Sequence, residues 1–328
     1  MSNQPPIEVP QGAIRLNTDS QRLEFFAQDR WYEMATNTQV LDGGVGRGLV
    51  GGGNTPSSTN IIQFITISTA GNSQDFGDLT GTRQSGPGAT GNSTRGLFAG
   101  GQIFPALSDV IDFVTFSSTG DAQDFGDLTD ARRSMNACSN QTRGLFLGGI
   151  DAPGTPTSNI IDFITIASVG NAVDYGDLIT TSSNASGNAA NPTRGLCLGG
   201  TPSETGSAQF VTIPTLGNSS TFGDLISSQG NRGACSNSIR AVHSHEDKLD
   251  FLTIATLGNS INFGDYLNDA AYKCAVSSKT RGVWGGGSPG LNVMGYINFA
   301  TQGDAVDFGD LSTTHYVHVG SSNGHGGL

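Results

Sequence analysis

What the chain has little of narrows it first. Charged residues make up only 13% of its 328 residues, and bases are the scarcer kind: 16 Lys and Arg against 28 Asp and Glu, a formal charge of −12. Phosphate binding needs a concentrated basic face, so nucleic acid is not an expected partner. No apolar run approaches the ~20 residues that span a bilayer. The first residues, MSNQPPIEVPQG, lack the charged start and apolar centre of a secretory signal. A soluble chain made in a cytoplasm, with no membrane partner, is the expectation. Cysteine is rare too, at Cys138, Cys197, Cys235 and Cys274. Three of these (Cys138, Cys235, Cys274) fall in one phase of a repeat. They therefore belong to separate units, whereas a disulfide needs Cα atoms within about 7 Å. Small, buried, apolar side chains are the expected role. Amphipathic helical periodicity is missing throughout.

What is present is glycine, at 48 positions, and short β-branched runs such as FITI and FVTF at even spacing. The chain reads as all-β. One pentapeptide recurs six times: DFGDL at 75–79, 124–128 and 307–311, DYGDL at 174–178, TFGDL at 221–225 and NFGDY at 262–266. Its aromatic residues, Phe76, Phe125, Tyr175, Phe222, Phe263 and Phe308, are spaced by 49, 50, 47, 41 and 45 residues. A period of 40–50 with strand content is the mark of a propeller blade. The tripeptide DFG also holds magnesium in protein kinases. No Gly-rich phosphate loop, HRD or VAIK-type lysine accompanies it here, so that reading fails.

Residues 136–178 show one unit. NACSN is a short strand, TRGLFLGG a second, DAPGTPTSN a loop and IIDFITIA a third strand, apolar on both faces as a sandwiched strand requires. Gly170-Asn171 then reads as a two-residue turn before DYGDL. Equivalent pairs are Gly71-Asn72, Gly120-Asp121, Gly217-Asn218, Gly258-Asn259 and Gly303-Asp304. Four strands per unit and six units are expected. The order of strand, strand ending in Gly-Gly, loop, strand, turn, and aromatic plus Leu resembles the kelch repeat, with Phe or Tyr where kelch blades typically carry Trp. The resemblance implies a six-bladed β-propeller over residues 38–328. The tail HYVHVGSSN (315–323) is expected to complete the unit begun near residue 47, since an uncompleted unit leaves an open edge.

Two charged positions keep phase with the repeat. The second Asp of the motif is Asp78, Asp127, Asp177, Asp224, Asp265 and Asp310; an Arg opens the glycine-pair strand at Arg47, Arg95, Arg143, Arg194, Arg240 and Arg281. Equal counts in fixed phase predict a ring of Arg–Asp pairs, one per unit or junction, bonded through two parallel hydrogen bonds.

Residues 1–37 lie outside the repeats. GAIRLNTDSQRLEFFAQDRWYEM (12–34) reads as a small hairpin with aromatic ends, too short for a core of its own, and so as a docking or oligomerisation segment. The stretch Gly12 to Glu24 with Trp31 resembles segments of tailed-phage fibre and appendage proteins. The repeats, with TRG-[LV]-F-x-GG and DFGDL, resemble those of large structural proteins of phages that infect cyanobacteria. The resemblance implies a virion structural protein, located in the particle and bound to other virion proteins through residues 1–36. It also implies a homo-oligomer, a trimer favoured. The propeller would present a host-surface glycan-binding face, or else serve purely as a connector or decoration of capsid, neck or tail.

Candidate ligand contacts are the loops after each glycine pair, which vary while the frame repeats: 101–109 with Phe104 and Pro105, 149–159 with Asp151, 199–207 with Glu204, and 286–292 with Pro289. In the fifth unit VHSHED replaces the FLGG type. His243 and His245 either present two imidazoles on one strand face to a transition metal or fill a loop where glycine is dispensable. No catalytic signature of the GxSxG, HExxH or paired-carboxylate kind stands out, and neither enzymatic activity nor a cofactor is expected.

Overall fold

The computed structural model describes residues 9–17, 22–33, 46–54, 57–103, 105–151, 157–183, 189–201, 206–227, 230 and 233–328. The chain divides into two compact units, Met1–Gly43 and Gly44–Leu328. Every regular element among the described residues is a β-strand, and no helix among them is long and apolar enough to cross a membrane.

In the first unit the expected hairpin is a three-stranded antiparallel sheet, Ile14–Asn17, Arg22–Ala27 and Arg30–Glu33. The extra strand arises because Gln28 and Asp29 take φ of 48° and 58° and close a two-residue turn, with Ala27 opposite Arg30. Phe25 stacks on Tyr32, Phe26 meets Trp31 edge-on, and Arg15 lies 4.1 Å over the Trp31 ring while bonding Glu24.

In the second unit the sequence repeats fold into six antiparallel sheets, five of four strands and one of three. The third shows the pattern: Asn136–Ser139, Arg143–Leu147, Ile160–Thr165 and Val173–Asp177, in chain order. The first sheet mixes the two ends of the chain. Val319–Ser322 pairs antiparallel with Arg47–Gly51, Val319 opposite Gly51, as the unpaired edge demanded. Thr59–Thr66 and Gln74–Arg83 complete it. The fourth has Arg194–Leu198, Ser207–Thr212 and Ser220–Asp224, with an isolated bridge from Ala190 to Gly195 where an inner strand would lie.

The apolar core is divided into slabs between neighbouring sheets. Leu97, Phe125 and Phe146 belong to a slab shared by the second and third sheets, and Cys138, Tyr175 and Cys197 to one shared by the third and fourth. Val50 and Ile65 of the first sheet pack with Val276 and Phe308 of the sixth. The innermost strands carry small hydroxyls that tie sheet to sheet: Ser277 Oγ donates to Ser236 O, Ser321 Oγ to Thr90 O, and Thr90 Oγ1 to Ser139 Oγ. The closing residues run across these strands. His325 Nε2 donates to Gly91 O at 2.9 Å, its Nδ1 accepts from Gly327 N–H, and Gly326 N–H donates to Ser236 O.

Candidate functional site

The recurring pentapeptide and the recurring Gly-Asx pair form one device, which joins one sheet to the next. In each of the six sheets the register slips beside the motif, as at Ile111/Asp112, so that Gly126 opposes Ile111 and Asp124 opposes Asp112. Phe125 is thus the extra residue of a β-bulge, with its carbonyl released from the ladder. That carbonyl accepts the Gly170 amide of the next sheet at 2.7 Å; Asp127 O accepts from Ala172 N–H, and Asp127 N–H donates to Asn171 Oδ1. The Phe125 ring is buried and meets Phe113 edge-on at 5.9 Å. Gly126 is required because a Cβ there would lie 2.5 Å from the backbone of Gly170.

The same three bonds join Phe76-Gly77-Asp78 to Gly120–Ala122, and so on along the chain. They also join Phe308 and Asp310 to Gly71, Asn72 and Ser73. The Gly-Asx pairs are therefore not the tight two-residue hairpin turns that their sequence implied. Gly71 has φ of 156°, and the ladder stops at Phe64 opposite Gln74, leaving a wide connection whose far side docks on the neighbouring sheet.

The expected ring of Arg–Asp pairs is corrected in the same way. No ion pair joins Arg47, Arg95, Arg143, Arg194, Arg240 or Arg281 to Asp78, Asp127, Asp177, Asp224, Asp265 or Asp310. The Asp residues spend their backbone groups on the clasp, and their side chains reach the surface. Lys248 bonds Asp265 at 2.9 Å. Each Arg instead stacks on the aromatic residue two positions before its register partner on the neighbouring strand: Phe64, Phe113, Phe163, Phe210, Phe251 and Tyr296, at 4.7–5.1 Å from ring centroid. Each also donates Nη1 to a backbone carbonyl of the following sheet, Arg47 to Phe116 O at 2.6 Å and Arg95 to Ile166 O at 2.8 Å. Arg281 reaches Ser68 O.

Buried Arg–Asp pairs do exist, at positions that sequence reasoning missed. Arg83 Nη2 meets Asp112 Oδ2 at 2.7 Å, and Arg132 Nη2 meets Asp162 Oδ2 at 2.5 Å, with all four side chains sealed from solvent. The second nitrogen of each fork caps strand-end carbonyls, Gly100 and Val110 for Arg83, Gly148 and Ile160 for Arg132. Thr80 and Thr129 complete the carboxylates. Burial pushes the Arg83 guanidinium below its usual value, and Asp112 opposes the shift. The available signal was an Asp in the centre of an apolar strand (VIDFVT, IIDFIT), with an Arg seven residues after the preceding motif aromatic. In the first and fourth sheets Gln63 and Gln209 take the Asp position, bonded to Ser73 and Ser219.

His243 and His245 sit in a strand, Arg240–His245, that continues to a two-residue turn at Glu246-Asp247, with Glu246 at φ of 46°. Both are buried and not loop filler. The rings lie parallel with centroids 6.3 Å apart, and His245 Nε2 is 3.1 Å from Asp250 Oδ1. Among the described residues no group of three or more His, Cys, Asp or Glu side chains converges as metal ligands. The four cysteines are free and buried, Cys274 pushed up to about 12 by burial. The Cys138 Sγ occupies the space a Cβ would take at Gly195.

The loop candidates are distributed and do not converge. Pro105, Asp151 and Pro289 are exposed, each on a different sheet's loop; Phe104 and Glu204 lie outside the described residues. These loops leave the end of the second strand, opposite the end that carries the arginines. At the arginine end the wide connections enclose hollows. One of about 290 Å³ belongs to the first sheet, and others of about 230 and 120 Å³ belong to the second and fifth. No protein-family model matches this chain, and no curated protein matches it.

Proposed function

We propose that this chain is a structural protein of a tailed-phage particle, a tail fibre or appendage component. Residues 44–328 act as a closed six-bladed propeller that presents a glycan-binding face to the host surface, and the N-terminal sheet fastens it to other virion proteins. The observation that carries the architecture is the three-bond clasp between Phe308-Asp310 and Gly71-Ser73, chemically the same as those between consecutive sheets. A stack whose last member is bonded like its neighbours to the first leaves no end sheet with an uncovered face, and its remaining edges are short. The frame is therefore rigid while the loops after the second strands differ in length, the arrangement of a binding scaffold.

The N-terminal sheet supports the attachment role. Ile14 and Phe25, opposite one another on one face, are 64% and 37% exposed, a wide apolar surface for a sheet of three short strands. On this reading the chain is non-catalytic and assembles as a homo-oligomer, a trimer. The test is to locate it by labelled imaging of intact particles, and to ask whether the purified chain adheres to host cells and blocks infection. Adhesion with blocking supports the receptor role. Binding to particles alone, lost when residues 1–36 are removed, supports a connector instead. Absence from particles sinks the proposal.

A further inference from the structure

We propose that the arginine end of the sheets is a sugar-binding face distinct from the variable loops, and that its ligand is an acidic polysaccharide carrying carboxylate or sulfate groups. This rests on the host-surface reading and names its ligand class.

Six half-buried guanidiniums stand at this end of a chain with 28 acids and 16 bases, and none of the six is ion-paired. Each is held twice, by its aromatic ring and by the carbonyl that Nη1 reaches. The side chains are half-exposed and each is fixed at two points. A stacked, immobilised Arg offers its planar fork to a carboxylate or sulfate with little ordering left to do.

The hollows lie against the same aromatics. In the second sheet the lining is Phe113, Thr115, Ser118, Gly120, Asp121 and Gln123, and the first and fifth sheets place Phe, Thr, Thr, Gly and Asn at the equivalent positions. Arg47, Arg95 and Arg240 stack on the aromatics of these three hollows. An aromatic surface, hydroxyls and an amide around a hollow smaller than a drug-sized pocket suit a single sugar ring. A guanidinium on the same aromatic suits its acidic group.

Charge spacing favours polysaccharide over nucleic acid. Duplex DNA presents a charge every ~1.7 Å, whereas these cations recur once per sheet and are separated by hydroxyls and exposed acids such as Asp124 and Asp174. A densely charged polymer meets those acids; a polymer with one anionic group per sugar can pass them. The Asx position grades the hollows. Asn72 and Asn259 are neutral, while Asp121 repels an anion, so the first and fifth sheets hold the better subsites.

The test uses the full chain with polygalacturonate and dextran sulfate as probes, and with neutral dextran and single-stranded DNA as controls. Binding to one or both acidic polymers, weakened by salt and at least tenfold tighter than to dextran or DNA, is expected. Arg47→Gln and Arg240→Gln together weaken it at least tenfold. Should that variant fold poorly, Asn72→Asp and Asn259→Asp keep the clasp's acceptor oxygen while adding charge to the hollows, with the same loss expected. Equal binding to dextran or DNA, or undiminished binding by the folded variants, overturns the proposal. Adhesion to host cells with no affinity for either acidic polymer overturns it and leaves the host-surface reading standing. Polymer binding that the variants lose, in a chain that does not adhere to host cells, supports the site and overturns that reading.

Discussion

Gly126 and Asp127 are neighbours in the same motif, yet substitution at the two has different consequences. A Cβ on Gly126, at φ of 143°, meets the Gly170 backbone at 2.5 Å, and neither backbone can retreat without opening the clasp. Gly126→Ala is expected to destabilise by about 1–3 kcal/mol or more. Asp127 contributes backbone groups that alanine also has, and its carboxylate has no ion pair. Asp127→Ala is expected to cost under about 1 kcal/mol. Asp162→Ala leaves Arg132 buried without its counter-charge and is expected to cost about 3–5 kcal/mol. Urea titrations of the three variants side by side check this ordering, and an Asp127 loss equal to that of Asp162 would restore the ring of surface Arg–Asp pairs.

At the scale of elements, the strand Val319–Ser322 matters most for its position. It covers the inner edge of Arg47–Gly51 and also bonds the neighbouring inner strands. A chain lacking residues 317–328 exposes that edge and loses the bonds of His325 and Gly326. Amide exchange at Leu49 and Val50 should then accelerate toward that of a free strand, with a lower melting temperature and a tendency to associate through the edge. Unchanged protection at Leu49 would mean that the pairing contributes little. The third sheet, Asn136–Ser139 through Val173–Asp177, is built from contiguous chain and should be the slower exchanger.

For the whole molecule, one titratable group at the convergence of inner strands links folding to acidity. Burial lowers the His325 pKa from 6.5 to about 4, with the bond to Gly91 opposing. The folded chain thus holds this imidazole neutral where the unfolded chain would protonate it. Stability from His325 is present above pH 6.5 and is lost as pH falls toward 4, a total of roughly 3 kcal/mol. His325→Gln should be less stable at pH 7 but show a flatter fall in stability between pH 6.5 and 4.5. Parallel curves for the two proteins would show that His325 does not carry the linkage.

The sequence by itself determined the all-β class, the phase of the strands, the pairing of the tail with residue 47's strand and the burial of the cysteines. Each rests on period, local apolar pattern or edge-counting, which are properties of the linear chain. It showed that DFGDL, the Gly-Asx pair and the arginine recur together, but not what each touches, because the two halves of the clasp lie in different sheets, 35 residues or more apart, and the arginine's ring is not its register partner on the paired strand. Only the tertiary structure decided that the bulged carbonyl of Phe125 takes the Gly170 amide and that Arg95 stacks on Phe113. It also decided that the buried carboxylate–guanidinium contacts belong to Asp112 and Asp162 with Arg83 and Arg132. The arginines could not be placed by counting charges, since a guanidinium can be held by a ring face and a carbonyl as well as by an acid. Which of these holds it depends on which neighbour the fold brings near.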